Sequence, residues 1–131
     1  MRTQINAVTI AAHDLQKLKN FYSTAFGWEV HSENTDIVMF RLKNGLIFSI
    51  YKDQDHANYI GNQQVATNAA PKTYLTINTN SLKETDEIFM ELERKSVNII
   101  KKPEKVFWGG YVGIVADPEN NYWEICFNPM E

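Results

Sequence analysis

Glu124 is the residue of this chain best fitted for chemistry. It stands in Tyr122-Trp123-Glu124-Ile125-Cys126-Phe127. The alternation puts Trp123, Ile125 and Phe127 on one face of a strand, and Tyr122, Glu124 and Cys126 on the other. A face of large apolar groups calls for a helix above it, so the opposite face carries the carboxylate toward whatever the sheet encloses. There Glu124 is suited to act as a general base. It is equally suited to bond a phenol, Tyr74 or Tyr111, and stabilise the fold. Cys126 shares that face, but no histidine is placed to activate it, and a lone inward cysteine is ordinarily a small apolar filler.

Tyr51, Tyr74, Tyr111 and Tyr122 fall on strand faces expected to look inward, and Trp108 directly precedes a bend at Gly109-Gly110. An apolar cavity rimmed by phenols suits a flat aromatic or amphipathic small molecule. The alternative is that the rings fill the space themselves. The three histidines, His13, His31 and His56, show no metal-ligand spacing such as H-x-x-x-H and read as surface side chains.

The chain that positions these groups has 131 residues and a net charge of −3. Its length fits one domain with a core that needs no staples. Its charge gives no basic footprint for nucleic acid or an anionic membrane. No apolar run reaches the roughly 18 residues of a membrane span. Met1-Arg2-Thr3-Gln4 leads straight into an apolar strand without the layout of a signal peptide. With one cysteine, no internal disulfide is possible. A cytoplasmic protein is the expectation.

Residues 5–12 read as a strand. Asp14 is placed to cap a helix carrying Leu15, Leu18, Phe21, Tyr22 and Ala25 at helical spacing, with Gly27 as its stop. Strands are expected at 28–32, 36–42 and 46–51, the last two joined by an Asn44-Gly45 turn. The polar stretch 53–71 reads as a linker or a loop over a site. The pattern then restarts. A strand begins at Tyr74, and Ser81 and Glu84 form a capping box for a helix running to about Lys95. Strands follow at 97–102, 109–116 and 121–127, with an Asp117-Pro118-Glu119-Asn120-Asn121 turn between the last two. Superposing Ala7 on Tyr74 places Asp14 on Ser81, Leu15 on Leu82 and Tyr22 on Phe89, a weak internal repeat. The economical reading is two βαβββ modules, 1–52 and 72–131, with linker 53–71.

Paired βαβββ modules with Asp14-Leu15, Phe21-Tyr22 and Phe26-Gly27 in the first copy, and Gly110-Tyr111, Asp117-Pro118 and Trp123-Glu124 in the second, resemble the vicinal oxygen chelate superfamily. This is the glyoxalase / bleomycin-resistance / extradiol-dioxygenase group. The usual glycine after Asp-Pro-x is Asn120 here, the next residue best able to take left-handed geometry. The resemblance implies an α+β fold in which two modules form a curved mixed sheet that encloses a cleft. It also implies metal ligands on the first and last strands of each module. Carried over, those positions are Ala7, Ser49, Tyr74 and Glu124, of which only Glu124 is a good ligand for a divalent ion. An open catalytic centre needs about three, so a metal cofactor is not expected. Relatives of the bleomycin-resistance kind are homodimers that sequester a small molecule in the cleft. The chain is accordingly read as a homodimeric, metal-free binder of a small organic molecule, with Ser49, Tyr51, Tyr74, Trp108, Tyr111 and Tyr122 as binding residues. The competing readings are a lyase or isomerase with Glu124 as catalytic base, and a structural or regulatory dimer with a filled cleft.

Overall fold

A computed structural model describes residues 2–60 and 73–130. The chain divides into two compact units, Met1–Asn68 and Ala69–Glu131.

In the first unit, β1 (Ala7–Ala12) is followed by α1 (Leu15–Thr24), β2 (Val30–Glu33), β3 (Ile37–Arg41) and β4 (Ile47–Lys52). The strands form a sheet in the order β1-β4-β3-β2, with β1 parallel to β4 and the other pairs antiparallel. The Asp14 side chain accepts from the Lys17 N–H and caps α1. Gly27, at φ +72°, turns the chain out of the helix, and the Trp28 N–H closes back on the Tyr22 carbonyl at 3.0 Å. Helical spacing brings Leu15, Leu18 and Tyr22 under cover. Tyr22 meets Phe48 edge-on at 5.1 Å and stacks on Trp28 at 5.7 Å, so the core of this unit is an aromatic cluster. The expected Asn-Gly turn forms, with Gly45 at φ +88°.

One element departs from the expectation of an unstructured connection. Asp53–Ile60 folds as a helix, α2. Asp53 and Asp55 lie in its first turn, where they complement the helix dipole. Ala57 is its buried apolar anchor, too small to mark a helical stripe in the sequence. The rest of the expected linker, 61–71, lies outside the described residues.

The second unit repeats the plan with β5 (Tyr74–Thr79), α3 (Leu82–Arg94), β6 (Asn98–Lys105), β7 (Tyr111–Ala116) and β8 (Tyr122–Phe127), in the sheet order β5-β8-β7-β6. The Ser81 side chain accepts from the Glu84 N–H at 3.0 Å, and the Glu84 carboxylate reaches back to the Asn80 N–H at 3.3 Å. The box therefore closes one residue earlier than its usual form. Phe89 and Leu92 of α3 are buried with Val115, Trp123 and Ile125 of the sheet. Fully burying a side chain of that size stabilises a fold by about 1.5–3 kcal/mol. Phe21 and Phe127, by contrast, are only half-buried. Strand β6 runs on through Pro103 to Lys105 rather than stopping near 102. Among the described residues it is an edge strand with one side unpaired, so a residue lacking an N–H is tolerated there. Asn120, at φ +68°, takes the left-handed position of the β7–β8 turn.

Candidate functional site

Strand register decides which side chains share a face. In the second sheet Thr76 pairs with Glu124, and Glu124 with Ile114. The face opposite α3 therefore carries Tyr74 and Thr76 from β5, Tyr122, Glu124 and Cys126 from β8, and Val112 and Ile114 from β7. Cys126 and Val112 are buried, Glu124 and Tyr122 half-buried, and Tyr74 is 57 % exposed at the start of its strand. The Thr76 hydroxyl donates to Glu124 Oε1 at 2.8 Å. Neither phenol expected to bond Glu124 occupies this position. Thr76 was visible in the alternation of Tyr74, Thr76 and Asn78, but only the parallel pairing of β5 with β8 sets it beside the carboxylate.

Tyr111 departs from the inward placement expected of it. It pairs with Phe127 on the face under α3, and its hydroxyl donates to Asp86 Oδ1 of that helix at 2.6 Å. The hydrogen bond to the Asp86 carboxylate, then burial, then the nearby negative charge, push its pKa above the ordinary phenol value. The parity of β7 is hard to read because Val112, Ile114 and Val115 are apolar on both faces. Gly113 resolves it. A Cβ there would come within 2.3 Å of the Phe89 ring, so Gly113 faces α3, and Tyr111 with it.

Trp108 belongs to the β6–β7 turn. There the Gly109 N–H donates to the Val106 carbonyl at 2.9 Å, and Gly109 has φ +99°. The Trp108 ring lies over Gly110, where a Cβ would meet it at 2.1 Å, and remains 41 % exposed.

In the first sheet Ser49 pairs with Thr9 and Met39, and Tyr51 with Ala11 and Ile37. Ser49 and Tyr51 thus share the face opposite α1. Ser49 is buried. The Tyr51 ring meets Tyr59 of α2 at 6.0 Å with an interplanar angle of 66°. A separate groove of about 560 Å³ is lined by His13, Asp14, Glu33, Asn34, Thr35 and Lys52, among others. Its polar groups already serve the fold: Asp14 caps α1, Glu33 pairs with Lys19 at 2.7 Å, Lys52 with Asp36 at 3.4 Å, and His13 with Asp53. His13 is therefore a hydrogen-bond partner of Asp53 rather than a merely solvated surface group.

A family model of the Glyoxalase/Bleomycin resistance protein/Dioxygenase superfamily matches residues 4–125. The chain belongs to this superfamily. Solved structures carry the same fold. A glyoxalase-related enzyme from Fulvimarina pelagi is 26 % identical with a TM-score of 0.86, the match covering 98 % of this chain and 90 % of that one. A glyoxalase/bleomycin resistance protein/dioxygenase from Nocardioides is 20 % identical at a TM-score of 0.85, covering 97 % and 84 %. A lactoylglutathione lyase from Agrobacterium tumefaciens is 18 % identical at 0.77, covering 98 % and 96 %. No curated protein matches the sequence.

Superfamily membership raises the question of a metal centre. On the second sheet, the neighbours that register gives Glu124 are a threonine hydroxyl and an isoleucine. On the first sheet, Ala7 and Ser49 offer a methyl and a hydroxyl. Among the described residues no group of three or more His, Cys, Asp or Glu side chains is placed to hold an ion. One carboxylate with neutral neighbours is a poor fit to a centre that needs about three protein ligands. Among the described residues, no helix is long and apolar enough to cross a membrane.

Proposed function

We propose that this superfamily member binds a small aromatic or amphipathic organic molecule without a metal ion, on the sheet faces that carry Ser49 and Tyr51, and Tyr74, Tyr122 and Glu124. The observation that supports it best is the environment of Glu124. The carboxylate is held by a neutral hydroxyl at 2.8 Å, on a face of aromatic and aliphatic side chains, where a flat apolar ligand gains from burial and a single polar group fixes its orientation. The working form is a homodimer in the cytoplasm. Metal analysis of protein purified without chelators tests the reading. It expects substoichiometric metal in protein that binds an aromatic probe. A divalent ion bound one to one and lost in Glu124→Gln would overturn it.

A second reading is favoured by the same hydrogen bond. With Oε1 fixed by Thr76, Glu124 has a defined orientation and can accept a proton from a carbon next to a carbonyl and return it to a neighbouring atom, as a lyase or isomerase requires. Glu124→Gln separates the two. Turnover lost with binding retained favours catalysis, whereas a change in binding of no more than a few-fold, with no turnover in either protein, favours sequestration.

A further inference from the structure

Helix α2 carries a large aromatic ring. Tyr59 is 81 % exposed. A single exposed ring is unremarkable on most surfaces, but the surroundings of this one are specific. Among the described residues its ring partner is Tyr51, which lies on the face opposite α1, beside Ser49. The two rings meet near edge-on, at 66°, and most of the Tyr59 surface stays open to solvent.

The helix that bears Tyr59 is also held in place. It packs on β1 and β4 and buries Ala57. At its first residue Asp53 pairs with His13, which stands just before α1. Ordering an exposed ring against the strand that presents Tyr51 and Ser49 removes part of the entropy cost that a ligand would otherwise bear on stacking there.

We propose that α2 forms one wall of the ligand site and that a flat aromatic ligand stacks on Tyr59, with Tyr51 as the second ring. The inference rests on the binding reading above and names the ligand chemistry on the first sheet. The ring is what matters; the phenol is secondary.

The test is a fluorescence titration of the full chain with N-phenyl-1-naphthylamine, a neutral flat aromatic probe. Tyr59→Ala, Tyr59→Phe and Phe107→Ala are titrated beside the parent, with circular dichroism to confirm folding. Phe107 is fully exposed on the β6–β7 turn of the second unit and controls for non-specific adsorption. The expected result is saturable binding by the parent, weakened about five- to tenfold in Tyr59→Ala and changed less than about twofold in Tyr59→Phe and Phe107→Ala. If Tyr59→Ala binds like the parent while Tyr74→Ala or Tyr122→Ala weakens binding, the role of Tyr59 is overturned and the binding reading stands. Equal weakening by Phe107→Ala also overturns it, as adsorption to any exposed ring. If the parent does not bind, the binding reading fails together with this inference.

Discussion

Two polar contacts fix the chemistry of single residues on the second sheet, and they lie on opposite faces. Thr76 holds Glu124 at 2.8 Å and Tyr111 holds Asp86 at 2.6 Å. Thr76→Val removes the hydroxyl but keeps the branched shape suited to a strand. Because the bond is solvent-accessible, its loss costs only about 0.5–1 kcal/mol, measurable as a lower urea midpoint with an unchanged slope. Tyr111→Phe is expected to cost about 1 kcal/mol at neutral pH, also moderated by solvent. Its pH dependence has a definite sign. The folded phenol keeps its proton to higher pH than the unfolded one, so its contribution is complete below the unfolded value of about 10 and is lost as pH rises through the folded value. Urea unfolding of parent and variant should therefore show a gap that is constant between about pH 7 and 9 and narrows above about 10. A gap that widens there would mean that the Tyr111–Asp86 bond does not stabilise the protonated phenol.

At the scale of elements, Gly113 is where sequence and packing meet most tightly. Its missing Cβ lets Phe89 of α3 lie directly on β7, and an added methyl would sit 2.3 Å from that ring. Gly113→Ala should destabilise the second unit by about 1–3 kcal/mol through overpacking. Shortening the partner in Gly113→Ala/Phe89→Leu should restore part of the loss, read as a partly recovered melting temperature. An additive double variant would place the strain elsewhere. The same elements show what was legible in the chain. Both capped helices, the Asn44-Gly45 turn and the alternation of β8 were readable, because capping, positive φ and period-two burial leave marks in residue type. Helix α2 was not, since its only described buried apolar residue is Ala57. The end of β6 is hidden in the sequence because Pro103 reads as a breaker until the strand is seen to lie at an edge. Of the site, Glu124 and Tyr122 could be placed on one face from their strand alone. Thr76 needs the parallel pairing, and the face of Tyr111 is not legible because β7 is apolar on both sides and hides its parity.

At the scale of the whole molecule, the two units repeat one strand order while their cores differ, one built on the aromatic cluster around Tyr22 and the other on α3 over Trp123 and Val115. Each unit thus has its own apolar core. On the proposed metal-free reading the protein should owe none of its stability to an ion, and that can be weighed directly. An ion that binds only the native state, present at a thousandfold over its dissociation constant, contributes about 4 kcal/mol. In a chain of this size that corresponds to a change in melting temperature of about 10 °C or more. Dialysis against a chelator, followed by thermal unfolding, is therefore expected to leave the melting temperature within about 1 °C of the untreated protein, and added zinc should not raise it. If the binding reading holds, a neutral aromatic ligand should raise it progressively with concentration, because a ligand of the folded state alone stabilises that state. A drop of about 10 °C on chelation that zinc or another divalent ion reverses would mean that the scaffold still carries its ion, with ligands beyond Glu124.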